Sequence, residues 1–100
     1  MARKSENYFE FEWDEGNVNK SWIKHGVGAK ECEEVFIDLN AVVSEDPKHS
    51  QKEQRWLILG KTRKGRNLIV IFTKRNSFIR VISARPMNRK ERRLYEGQKT

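Results

Sequence analysis

Arg55, Arg66 and Arg80 lie in or beside runs of apolar residues, and a planar guanidinium offers paired N–H donors that fit two oxygens of one phosphate. On a sheet, these three would form a fixed phosphate-binding surface. Lys24-His25-Gly26-Val27 adds a cation and an imidazole. Imidazole is the side chain best suited to proton transfer near neutral pH, and an RNA 2′-hydroxyl must lose a proton to attack its neighbouring phosphate. The same pair also suits a helix C-terminus, where cations meet the last carbonyls. Glu53 and Tyr95 are poorer acid–base groups, since their ordinary pKa values, about 4 and about 10, lie far from neutrality. A structural role is expected for both. Strict alternation from Arg80 puts Arg85 on the opposite strand face unless the chain turns at Pro86.

Other chemistries find little support. There is no phosphate-binding glycine loop, no G-x-S-x-G and no H-E-x-x-H. Cys32 is the only cysteine, which excludes an internal disulfide and paired-cysteine zinc spacing, so it should pack as a small hydrophobe. His49 among Asp46, Ser50 and Glu53 matches neither zinc nor calcium spacing. No metal and no cofactor are expected.

The elements that must carry these residues read as βααββββα, an α+β domain. Phe9, Phe11 and Trp13 alternate with Glu10 and Glu12 as a first strand, and Asp14 is a candidate N-cap for a helix reaching His25 and ending at Gly26. A second amphipathic helix is expected over about 29–38, from the spacing of Cys32, Val35, Phe36 and Leu39. A short strand over 41–44 and a polar loop around Pro47 precede three strands, at about 54–60, 67–73 and 78–84. Their short connections predict an antiparallel meander. Asn88 and Glu91 have capping-box spacing for a last helix from Arg89 to Glu96.

With 100 residues there is room for one core, expected over 8–97, with a head at 1–7 and a tail at 98–100. The start lacks the apolar stretch of a secretory signal and no run approaches membrane-spanning length, so the cytoplasm and no membrane are expected. Charge is uneven: residues 1–40 carry net −4 and residues 41–100 net +11, consistent with the overall +7. A basic half attracts polyanions through phosphate contacts, or an acidic partner. Arg89, Lys90, Arg92 and Arg93 make the last helix either an RNA-tracking element or a cover for the sheet.

Taken together, several segments resemble the BrnT toxins of type II toxin–antitoxin pairs over most of the chain from Phe11 to Glu96. They are Phe11-Glu12-Trp13-Asp14 with Asn17 and Asn19, Lys24-His25-Gly26-Val27, Glu31 to Phe36, Glu45-Asp46-Pro47, Glu53-Gln54-Arg55-Trp56 with Gly60, Gly65-Arg66, Arg80 to Arg85, and Glu91 to Glu96. The resemblance implies a small RelE-like domain with two N-terminal helices, an antiparallel sheet and a C-terminal helix. It also implies a metal-independent endoribonuclease that stops translation, neutralised by a BrnA-type antitoxin. The two proteins would form a hetero-oligomer that reaches operator DNA only through the antitoxin. Departures fall at the head, at Gly28 where a polar cap is common, in the glycine-free hairpin Lys74-Arg75-Asn76-Ser77, and at Pro86.

The expected reaction is attack of the ribose 2′-hydroxyl on the adjacent phosphorus, giving a 2′,3′-cyclic phosphate and a 5′-hydroxyl. Arg55, Arg66 and Arg80 would hold the phosphate, Lys24 or His25 would assist proton transfer, and Arg85, Arg89, Arg92 and Arg93 would bind RNA. The rival expectation is a non-catalytic nucleic-acid-binding module in which Trp56 or Phe78 stacks on bases.

Overall fold

The computed structural model describes residues 9–46 and 52–97. Its elements are β1 (Glu10–Phe11), α1 (Lys20–His25), α2 (Ala29–Val35), β2 (Val42–Glu45), β3 (Trp56–Lys61), β4 (Asn67–Arg75), β5 (Phe78–Pro86) and α3 (Arg89–Gly97). The expected α+β class and element order are both found. The polar loop around Pro47, His49 and the two termini lie outside the described residues.

Strand order is β1-β5-β4-β3-β2, and β2 to β5 form the antiparallel meander. The sheet is mixed rather than wholly antiparallel, because β1 joins the edge of β5 in parallel, pairing Glu10 with Phe78 and Phe11 with Ile79. Both faces of the sheet are apolar. Leu68, Val70 and Phe72 of β4 face α1 and α2 and pack with Ile58, Val81, Val27, Cys32 and Val35. Ile69 and Ile71 face the other way, toward Leu59, Met87 and Tyr95 at α3. Cys32 packs as a small hydrophobe, 1% exposed, and burial pushes its thiol up to about 12.

The helix expected from Asp14 begins instead at Lys20. Asp14 takes up a local turn, its Oδ1 accepting from Gly16 N at 2.8 Å, while the side chain of buried Asn17 donates to the carbonyls of Glu12 and Val81. Gly16, Asn17 and Asn19 are weak helix formers, so these tertiary bonds prevail. Ser21 Oγ also accepts from Ala84 N at 2.7 Å, which satisfies the edge of β5 beyond the reach of β1. Gly26 closes α1 at φ 66°, the left-handed conformation that glycine adopts at least cost. Helix α2 stops at Val35, and Phe36 turns into an aromatic cluster, 4.9 Å from Phe72 and 5.1 Å from Phe11. Gly60 lets α2 approach β3, since a Cβ there would stand 2.7 Å from Val35 Cγ1.

The capping box of α3 is formed in both directions: Glu91 N donates to Asn88 Oδ1 at 2.8 Å and Asn88 N to Glu91 Oε1 at 2.9 Å. Tyr95 anchors the helix by donating its hydroxyl to Asp38 Oδ2 at 2.5 Å. Burial opposes ionisation of Asp38, but this bond and the N–H groups of Asn40 and Lys61 outweigh it and hold the carboxyl below its usual range. Tyr95 is raised by burial and by that carboxylate.

Candidate nucleic-acid interface

A β-bulge decides which arginines share a face. Phe72 pairs with Val81 but Ile71 pairs with Ser83, so Ile82 is an extra residue in β5. The insertion resets the alternation. Arg80 lies opposite Thr73, and Arg85 opposite Ile69, both in the β4 row that faces α3. Arg85 therefore shares a face with Arg80, contrary to strict alternation, and the bulge rather than Pro86 re-aims it. Pro86 remains within β5, opposite Leu68.

The same β4 row ends at Arg75, because β4 runs two residues further than its pattern suggests. The hairpin turns on Asn76 and Ser77, with Asn76 at φ 57°, where asparagine stands in for glycine. Arg75 and Arg80 are thus brought to one end of the sheet, where three carboxylates meet them. Arg80 donates from Nη1 and Nη2 to the two oxygens of Asp14, at 2.9 and 3.1 Å, and from Nη1 to Glu12 at 3.3 Å. Arg75 donates to Glu53 at 3.3 Å and stands 3.8 Å from Glu12. Arg55, just before β3, acts electrostatically on Glu53. The hydrogen bond from Arg80 lowers the Asp14 pKa, that from Arg75 lowers Glu53, and Asp14 raises Arg80. All stay ionised at neutral pH.

Arg66 is not part of this ring. Its Nη1 donates to both oxygens of Glu31, at 2.9 and 3.0 Å, and to the Gly26 carbonyl at 3.0 Å. Glu31 in turn accepts from Gly28 N at 3.1 Å, so one carboxylate caps α2 at glycine and fixes Arg66. Lys24 and His25 are exposed on the last turn of α1, next to the carbonyl that Arg66 holds. Seven strand positions separate Arg66 from Thr73, roughly 23 Å at about 3.3 Å per residue. The five residues expected to form one site therefore form two groups, Arg55 with Arg80 and Lys24 with His25 and Arg66.

Arg85 is held by Glu91 through two hydrogen bonds of 2.8 Å, which raise the arginine and lower the carboxyl. Arg89, Arg92 and Arg93 are exposed on α3. Trp56 stacks on Phe72 at 5.9 Å and carries Lys74 over its ring at 4.9 Å, which leaves it poorly disposed to receive a base. Phe78 is 40% exposed. Among the described residues no group of three or more His, Cys, Asp or Glu side chains could hold a metal ion, and no helix is long and apolar enough to cross a membrane.

Sequence reasoning missed Arg75, Glu12 and Asp14. Arg75 continues the two-residue period of Ile69, Ile71 and Thr73 and was legible from it. The two carboxylates meet Arg80 from 66 and 68 residues away, which no local pattern reveals.

With this geometry in view, comparison with protein families finds that the family described as "Ribonuclease toxin, BrnT, of type II toxin-antitoxin system" matches residues 13–91. The chain belongs to the BrnT family. The match runs from Trp13 through Glu91, so it spans the arginine–carboxylate ring almost entirely as well as the Lys24, His25 and Arg66 group. A search of curated proteins finds no match. As a BrnT protein the chain is a ribonuclease toxin of a type II toxin–antitoxin system, and membership implies an antitoxin partner.

Proposed function

We propose that this BrnT protein is a metal-independent endoribonuclease that cuts RNA at the arginine ring at the Arg75 end of the sheet and so inhibits translation in the cytoplasm. The observation that carries this reading is the meeting of Arg55, Arg75 and Arg80 at one end of the sheet in a chain of a ribonuclease-toxin family. Arg55 and Arg80 bind the scissile phosphate and stabilise the negative charge that grows on its oxygens. Preorganised donors of this kind are worth about 3 kcal/mol each. The 2′-hydroxyl gives up its proton as its oxygen attacks phosphorus, the P–O5′ bond breaks, and the departing 5′-oxygen takes a proton from water, leaving a 2′,3′-cyclic phosphate and a 5′-hydroxyl.

Glu12, which faces both Arg75 and Arg80, is the carboxylate placed to take the 2′-hydroxyl proton, and Glu12→Gln tests it. Arg66, seven strand positions from Thr73, ties the end of α1 to α2 through Gly26 and Glu31, and Lys24 and His25 on the last turn of α1 bind flanking RNA. Arg85, Arg89, Arg92 and Arg93 extend the track along the α3 face. A BrnA-type antitoxin neutralises the toxin in a hetero-oligomer that represses its own operon, with operator DNA contacted by the antitoxin alone.

Purified, antitoxin-free protein incubated with total RNA in EDTA tests the reading. The expected products carry 5′-hydroxyl and cyclic phosphate ends. Intact RNA from folded protein, both alone and with translating ribosomes, overturns it and favours the non-catalytic binding module, for which exposed Phe78 is the remaining aromatic.

A further inference from the structure

Arg80 is already occupied in the way a phosphate would occupy it. Both terminal nitrogens meet both oxygens of one carboxylate, at 2.9 and 3.1 Å, which is the fork geometry that a phosphate takes with arginine. The arginine is well enclosed, with 14% of its side chain exposed, whereas the Asp14 side chain is 57% exposed. Asp14 sits in the turn between β1 and α1, outside regular structure; its backbone is held by Asn17 and Val18, and its carboxylate, besides Arg80, accepts from the turn's own N–H groups at Gly16 and Asn17. Gly16 leaves little room to spare: a Cβ there would stand 3.1 Å from Asp14 Oδ1 and 3.3 Å from Arg80 Nη2. The guanidinium is therefore fixed and the carboxylate is the member that can swing into water.

Charge balance points the same way. Arg75 and Arg80 are met by Glu12, Asp14 and Glu53, so the positive charge at this end of the sheet is already matched by carboxylates. A phosphate entering an intact ring meets three carboxylates. When Asp14 leaves, it uncovers one positive charge that the phosphate then neutralises.

We infer that Asp14 is an internal stand-in for the RNA phosphate on Arg80, a gating residue that the incoming phosphate must displace. The inference rests on the phosphate-binding reading of Arg80. Its consequence is that Asp14 weakens binding of every phosphate alike, independently of base identity. Removing the competitor should therefore tighten binding by up to roughly fivefold.

The test is calorimetric titration of inorganic phosphate, and then of a 3′-mononucleotide, into wild type, Asp14→Asn and Asp14→Ser in chloride buffer. Both variants retain a side-chain oxygen for Gly16 N, and circular dichroism checks that each is folded. Tighter binding of both ligands in both variants is expected, by roughly two- to fivefold. Equal affinity overturns the inference, because Asp14 then does not compete. Weaker binding also overturns it, because Asp14 then orients Arg80 for the phosphate. If neither ligand binds wild type or variant while RNA is still cut, the gate alone fails. If the variants bind phosphate more tightly but no preparation cuts RNA, the gate stands and the nuclease reading fails.

Discussion

Arg66 and Arg80 flank the same strand pair and each is held by carboxylate oxygens, yet they serve different ends. Arg66 joins the end of α1, the start of α2 and the start of β4 through one nitrogen, so its bonds tie three elements together. Arg80 joins a turn and the tail of β1 to the sheet, in company with Arg75, and its partner Asp14 is exposed. What distinguishes them is the partner's own duties. Glu31 caps a helix packed on the core and is mostly covered, whereas Asp14 caps only its own surface turn and is largely exposed. An ion pair by itself says little about function; what else its members hold says more.

The sharpest way to break this contrast is substitution at the two arginines. Arg80→Ala should slow RNA cleavage by about 10²- to 10³-fold, as loss of a well-aimed donor does, with a change in thermal midpoint of only a few degrees. Arg66→Ala should do the reverse, costing about 1 kcal/mol of stability for a partly exposed pair while the folded protein cleaves within about threefold of wild type. Rates measured on folded fractions, with melting curves for both, decide it.

Between these in size is Gly60→Ala, which forces a methyl against Val35 and should cost about 1 to 3 kcal/mol in chemical denaturation. It weakens α2 against β3 and leaves the arginine ring untouched, so cleavage per folded molecule should hold.

The α3 end is expected to contribute charge rather than chemistry. Arg89, Arg92 and Arg93 are exposed, and replacing all three with serine should lower the steepness of log affinity against log salt by roughly 2, at about 0.7 per single-strand phosphate contact. An unchanged slope in filter binding across a salt series would remove α3 from the RNA track.

The smallest effect is on acid stability. Arg85, with help from Asn88 N, holds the Glu91 carboxyl below its ordinary 4.5, so the pair stabilises the fold above that pH. The contribution fades as pH falls through the lower folded value. Glu91→Gln should therefore flatten the decline of the thermal midpoint below about pH 4.5 relative to wild type. A parallel decline would mean that the pair adds nothing to stability.

Much of this organisation was legible in the sequence for physical reasons. The unbroken apolar runs Leu57 to Leu59 and Leu68 to Phe72, and the β-branched stretch from Ile79 to Ala84, each bounded by turn residues, marked the central strands, and Asn88 with Glu91 marked the start of α3. Gly26 ended α1 because only one backbone conformation suited that position. What could not be read came from outside the local pattern. Val81-Ile82-Ser83 looks like uninterrupted strand, yet Ile82 is the bulge that turns Arg85 onto the face of Arg80. The parallel pairing of β1 depends on an edge contact some 68 residues away, and the same contact brings Glu12 and Asp14 to Arg80. The grouping of Arg66 with the helix-covered face followed from its reach to Gly26 and Glu31, not from its place before a strand.

The central claim is that RNA phosphate enters at the Arg55–Arg80 end of the sheet. It is tested most directly by arginine side-chain NMR while titrating an uncleavable 2′-deoxy oligonucleotide, with each guanidinium assigned by substitution. The account predicts that the Arg80 and Arg55 resonances move and saturate together while Arg66 stays on Glu31. Movement of Arg66 with Arg80 unchanged would contradict it.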